Sequence, residues 1–242
     1  PPDACACFLT VKTPGYFAAA PQRDPSGHMP FPAKPVLEKG PAYGKISRSA
    51  PRDSGSDSWP MFRHDPARSG ASATPIAAES ARKWTTSLGG KLTQPIIAEG
   101  KVFLASVDTH TVHALSASNG EQLWQFTTGG RIDSSPTIYK GTLLVGSADG
   151  WLYCLGANDG ALVWRFRAAP ADRLVSVYGQ LESTWPVHGS VMVQNDNIYV
   201  TAGRSSYLDG GIVLYRIDPV TGNQLSRTMI YHLDPDTGEQ LT

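Results

Sequence analysis

Few residues in this chain stand at spacings that could do chemistry. Cys5-Ala6-Cys7 comes first. On an extended strand positions i and i+2 share a face, so the two thiols could grip a soft metal or cycle between dithiol and disulfide. A zinc site needs four ligands, and no second Cys/His pair follows at a matching distance. The alternative is a pair of structural thiols, or disulfides to cysteines elsewhere. His110-Thr-Val-His113 offers two imidazoles, but i and i+3 point to opposite faces of a strand. Asp234-Pro-Asp236 resembles part of a calcium loop. Its companion Asp218-Pro-Val-Thr-Gly222 lacks the second carboxylate, and both read first as turns. No His-Glu-x-x-His, Gly-x-Ser-x-Gly, phosphate-loop or dinucleotide motif is present. The residues therefore predict no catalytic set and no metal centre.

The elements that would position any site are declared by a repeat. Trp84, Trp124 and Trp164 stand forty residues apart in similar surroundings. Ala114-Leu-Ser-Ala-Ser-Asn-Gly120-Glu-Gln-Leu-Trp124 answers to Cys154-Leu-Gly-Ala-Asn-Asp-Gly160-Ala-Leu-Val-Trp164. A period of ~40–45 residues made of short strands predicts propeller blades. Within one unit, Pro136-Thr-Ile-Tyr, Thr142-Leu-Leu-Val, Trp151-Leu-Tyr-Cys-Leu155 and Ala161-Leu-Val-Trp-Arg-Phe-Arg167 are strands. They are bounded by Lys140-Gly141, Asp149-Gly150 and Asn158-Asp-Gly160 turns. No window carries a helical period, so the expected fold is all-β, with antiparallel blades of four strands.

A third unit is stretched. From Gly160 to Gly222 is 62 residues rather than 40, with surplus in 168–184 and in 204–211. Insertions into a repeat array map to loops. The repeated Gly120, Gly160 and Gly222, with Trp124 and Trp164, are expected to dock each blade on its neighbour. The competing reading of the tryptophans is an aromatic ligand platform.

The Gly-x-x-x-Trp ending behind Ala-Leu or Cys-Leu resembles the tryptophan-docking repeat of PQQ-like (quinoprotein-like) β-propellers. Trp59-Pro-Met-Phe-Arg-His-Asp-Pro-Ala-Arg-Ser-Gly70 is similar to the motif that precedes the first blade in bacterial members. The resemblance covers about residues 59–226. It implies a propeller of four to eight blades when closed, a periplasmic or cell-envelope setting, and two possible roles. One is a non-catalytic ligand- or protein-binding scaffold with no cofactor of its own. The other is part of a quinoprotein oxidoreductase using PQQ and calcium. Quinoprotein dehydrogenases carry a disulfide between adjacent cysteines over the cofactor; here Ala6 separates Cys5 from Cys7, which counts against PQQ.

In a propeller the loops from strand four to strand one and from strand two to strand three share one face. Those loops hold Lys91, Arg131 and Asp133, then Asp108, His110, Asp149 and Trp151. The third unit adds Trp185, His188, Arg204, Tyr207 and Asp209. Aromatic and charged side chains together suit a binding surface; the plainer reading is that polar residues make turns.

Twenty-one basic residues balance twenty-one acidic ones with no block of either sign, which argues against nucleic acid as partner. No apolar stretch is long enough for a membrane-spanning helix. Expected partners are other blades of a parent chain and a protein or small molecule. Residues 1–58 hold ten of the nineteen prolines. The expected divisions are 1–19 as the tail of a preceding blade or an isolated strand, 20–58 as a Pro/Gly/Ser-rich linker or irregular loop, and 59–242 as blades. The repeats fall at about 84–124, 125–164 and 165–226. A Pro1-Pro2 start and a pattern broken at Leu241-Thr242 suggest a piece of a longer protein.

Overall fold

The computed structural model describes residues 36–46, 58–75, 78–177 and 179–232, and all regular structure among them is β. Three antiparallel four-stranded sheets follow one another as an incomplete propeller. The first blade is β2 (Ile96–Ala98), β3 (Lys101–Ser106), β4 (Thr111–Ser116) and β5 (Gln122–Thr127). The second is β6 (Thr137–Tyr139), β7 (Thr142–Gly146), β8 (Trp151–Gly156) and β9 (Leu162–Arg167). The third is β12 (Met192–Gln194), β13 (Asn197–Ala202), β14 (Ile212–Ile217) and β15 (Gln224–Ile230).

The turns explain the shared register. Glu99-Gly100, Lys140-Gly141 and Asn195-Asp196 link first to second strands, and all six residues have positive φ. That is the two-residue hairpin whose twist matches its strands. The third and fourth strands of every blade slip register at the same place, at Ala114/Leu115, Cys154/Leu155 and Arg216/Ile217. The slip sits beside the Gly120, Gly160 and Gly222 turns.

Alternating side chains bury both faces of the second blade. Leu143, Val145, Tyr153 and Leu155 join Phe103 and Trp124 in one core, between the first and second blades. Leu144, Leu152, Cys154 and Phe166 join Val187, Ile198 and Tyr215 in the other. Burial pushes the Tyr215 hydroxyl up to about 12, so it stays neutral. The indoles of Trp84 and Trp124 donate to the carbonyls of Ala117 and Ala157, each at 3.1 Å. A Cβ on Gly120 would stand 2.5 Å from Trp84, one on Gly160 2.6 Å from Trp124, and one on Gly222 2.8 Å from Trp164. Trp164 is wholly buried, and among the described residues its indole nitrogen has no hydrogen-bond partner.

Two features differ from expectation. Within the stretch expected as linker, β1 (Leu37–Lys39) adds a fifth strand to the outer edge of β9. Glu38 pairs with Arg165, Val36 accepts from the Arg167 amide at 2.9 Å, and Leu37 lies beside Gly222. The surplus 168–184 is not only loop: β10 (Leu174–Val177) and β11 (Gln180–Ser183) form a separate hairpin. Cys5, Cys7, the segment 1–19 and Asp234-Pro-Asp236 lie outside the described residues.

The lead-in segment that begins at Trp59 runs along the free inner edge of the first strands. Trp59 exchanges two backbone bonds with Ile97 of β2, at 2.6 and 3.0 Å. The Ile138 amide of β6 donates to the Pro60 carbonyl at 2.8 Å. Arg68 then reaches the carbonyl of Ser190, just before β12, at 3.1 Å.

Candidate functional site

Three carboxylates meet at one guanidinium, that of Arg131. Arg131 lies in the connection from β5 to β6, which passes so close to the β7–β8 turn that a Cβ on Gly130 would stand 2.5 Å from the Asp149 amide. The Arg131 side chain is buried there. It pairs with Asp133 at 2.6 Å, Glu182 at 3.3 Å and Asp108 at 3.4 Å. Asp133 passes the link on to His188 Nδ1 at 2.8 Å. His110 Nε2 stands 2.7 Å from Gln180 Oε1, and Gln180 Nε2 donates to the Asp108 carbonyl at 3.1 Å. The hairpin β10–β11 thus reaches back over the second blade to the first. Its inward residues, Gln180 and Glu182, hold it down, while Leu174 and Leu181 stay exposed on the other side.

The carboxylates of this cluster differ in environment. The hydrogen bond from His188, then the charge of Arg131, holds the Asp133 carboxyl below its ordinary range against the effect of burial. Glu182 is almost fully buried, and there burial outweighs Arg131 and pushes its carboxyl up.

The remaining residues expected on the loop face form other groups. Arg204 and Asp209 pair within their own loop at 2.7 Å. Tyr207 is exposed and stacks on His232, with ring centroids 4.6 Å apart. Trp185, expected as a surface residue, is only 1% exposed and belongs to the core between the second and third blades. Its apolar ring fills that core, and its indole nitrogen reaches the Asp209 carbonyl at 2.9 Å. Asp149 is occupied locally, accepting from Trp151 N, Gly129 N and the Tyr153 hydroxyl. Half-buried Trp151 carries the Arg165 guanidinium 4.3 Å over its ring. Lys91 is exposed, and its carbonyl accepts from the Val107 amide at 2.8 Å. His113 is buried against Ser106 and Gln122, apart from His110.

Beside the Arg131 cluster opens a cleft of about 460 Å³ lined by Phe62, Arg68, Thr93, Gln94, Asp133, Ser134, Ser135, His188 and Ser190. Asp133 and His188 were expected from their loops, Phe62 and Arg68 lie within the Trp59–Gly70 motif, and the others were not named. The signal for them was positional: 93–94, 133–135 and 188–190 all directly precede a first strand. A calcium-held quinone needs several oxygen ligands converging on the ion. Among the described residues no group of three or more His, Cys, Asp or Glu side chains is placed to hold a metal. Both oxygens of Asp133 are already engaged. The acidic and histidine side chains of the described residues offer no ready-made ligand set for that ion.

A family model described as outer membrane protein assembly factor BamB, of the PQQ-repeat type, matches residues 49–231. The chain belongs to this BamB-type PQQ-repeat family. It is 28% identical over 130 residues to the outer membrane protein assembly factor BamB of Yersinia pestis, covering 52% of this chain and 31% of that protein. It is also 28% identical over 135 residues to the lanthanide-dependent methanol dehydrogenase of Methylacidiphilum fumariolicum, covering 50% and 21%. The chain spans less than a third of these curated relatives. Among solved structures, the quinohemoprotein alcohol dehydrogenase of Comamonas testosteroni shares the fold with a TM-score of 0.61 at 18% identity, over 77% of this chain and 29% of that one. BamB-type members and quinoprotein dehydrogenases thus both stand among its relatives.

Proposed function

We propose that this chain is a non-catalytic binding scaffold, part of a larger bacterial envelope protein, which presents loops from rigid blades to a protein or small-molecule partner. The observation that carries it is the Arg131 cluster. One buried cation ties together loops of two blades and an inserted hairpin, so the face is organised before any partner arrives, and preorganisation lowers the cost of binding. Asp108, His110, Arg204, Tyr207 and Asp209 are the accessible edge of that face. Trp124 and Trp164, with Gly120, Gly160 and Gly222, serve as blade-to-blade docking elements.

The second reading, a part of a PQQ-dependent oxidoreductase, is favoured by the similarity to the lanthanide-dependent methanol dehydrogenase. Titrating the intact parent protein with PQQ and calcium, while following tryptophan fluorescence and dye-linked alcohol oxidation, separates the two. The scaffold reading expects neither saturable quenching nor activity. Saturable, calcium-dependent quenching with turnover would replace it by the enzyme.

A further inference from the structure

The cleft beside the Arg131 cluster holds one half-buried cation, Arg68, with Ser134, His188 and Ser190 along its walls. We propose that it is a binding site for a small anion, a carboxylate or a phosphate, seated on the guanidinium of Arg68. This goes beyond the scaffold reading, because the cleft sits where the first strands begin and not at the loop tips.

Arg68 is fixed in place by carbonyls. Its Nη1 donates to Phe62 O at 2.7 Å and its Nη2 to Ser190 O at 3.1 Å, and the Phe62 ring lies 5.4 Å away. A guanidinium has five N–H donors, so these two bonds leave three. Neutral carbonyls do not offset its charge. Among the described residues no carboxylate lies within ion-pair distance of it. Asp65, three residues earlier, spends its oxygens on Ser69 and His64. Burial lowers the Arg68 pKa and the charge of Asp65 works the other way, but the guanidinium keeps its charge.

The other walls suit the same ligand. Asp133, the cleft's one carboxylate, turns one oxygen to Arg131 and the other to His188, so both are engaged away from Arg68. The Asp133 bond to Nδ1 leaves His188 Nε2 on the opposite ring edge. Ser134 and Ser190 add hydroxyls, whereas the Ser135 hydroxyl is spent on the Gln94 carbonyl at 2.8 Å. The volume, about 460 Å³, suits a small molecule and not a folded partner.

The test is calorimetric titration of the full chain with sodium succinate and, separately, inorganic phosphate at constant chloride, with His188 ring signals followed by NMR. One saturable site is expected. Binding should weaken by about tenfold or more in Arg68→Gln and largely persist in Arg68→Lys, with thermal melts reporting the fold. Because Arg68→Gln also removes two carbonyl bonds, Ser134→Glu serves as a second variant; its added carboxylate should abolish binding. Succinate alone binding marks an organic acid as the ligand, and both binding marks a general oxyanion site. Wild-type protein that gives neither heat nor a His188 shift with either anion up to about 50 mM overturns the proposal. So does unchanged affinity in folded Arg68→Gln or in Ser134→Glu.

Discussion

Asp133 Oδ2 and His188 Nδ1 meet at 2.8 Å across 55 residues of chain, and this contact joins the loop before the second blade to the loop before the third. It has a pH signature. A carboxyl whose folded pKa lies below its unfolded value contributes stability that is fully present above the unfolded pKa, near 4, and is lost as pH falls through the folded value. Asp133 is such a group. Glu182 runs the other way: its pKa is raised, so its contribution declines as pH climbs from the unfolded value through the folded one. Asp133→Asn should cost roughly 1.5–3 kcal/mol at neutral pH, by replacing hydrogen bonds made by a charged carboxylate. The variant should then lose less stability than wild type below about pH 4. Urea midpoints measured across that range check both statements, and parallel acid limbs would refute the assignment.

Arg131→Met removes the cation that compensates Glu182, whose side chain is 2% exposed. Breaking a buried pair on one side costs about 3–5 kcal/mol, because the remaining charge is left without a partner. Adding Glu182→Gln should recover part of that loss. A double-mutant cycle in urea reads the coupling, and additive effects would mean the pair contributes nothing.

Gly160 has a φ of +70°, and a Cβ there would overlap the Trp124 ring. Gly160→Ala should lower stability by at least ~1–2 kcal/mol from backbone strain alone. Trp124→Ala opens a cavity between the first two blades and should cost about 3–5 kcal/mol. Thermal melts of both variants check the order, Trp124→Ala being the worse.

Glu38→Gln should be nearly silent. The Glu38–Arg165 pair is 2.6 Å long, but its side chains are 48% and 33% exposed. Exposed pairs contribute about 0–1 kcal/mol. A loss well above that would mean the pair anchors β1 more firmly than its exposure allows.

Much of the fold was legible because the repeat states it more than once. Glu99-Gly100 and Lys140-Gly141 bound the first two strands of successive units, and the Gly120–Trp124 and Gly160–Trp164 spacing marks the unit. The elements that escaped reading lack that redundancy. A three-residue strand such as Leu37–Lys39 is too short to carry a period, and it exists because the outer edge of β9 offers unpaired backbone. The hairpin β10–β11 occurs only in the insertion, so no second copy declares it. Trp185 looked like a surface residue by its place in a loop, yet a large apolar ring beside an inter-blade core is drawn into it. The Arg131 cluster was half legible. Its members from the blades follow from loop position, but Gln180 and Glu182 follow only from how the hairpin folds back.

The lead-in segment bears on how the array comes apart. Units that meet only their neighbours can peel away one at a time from an end. Here a single stretch from Trp59 to Arg68 holds backbone bonds to Ile97 and Ile138 and, through the Arg68 side chain, a bond to the Ser190 carbonyl, so it touches each successive unit. Unseating any one unit disturbs the strip that restrains the other two. The three should melt in a single cooperative step, with the strip acting as a drawstring.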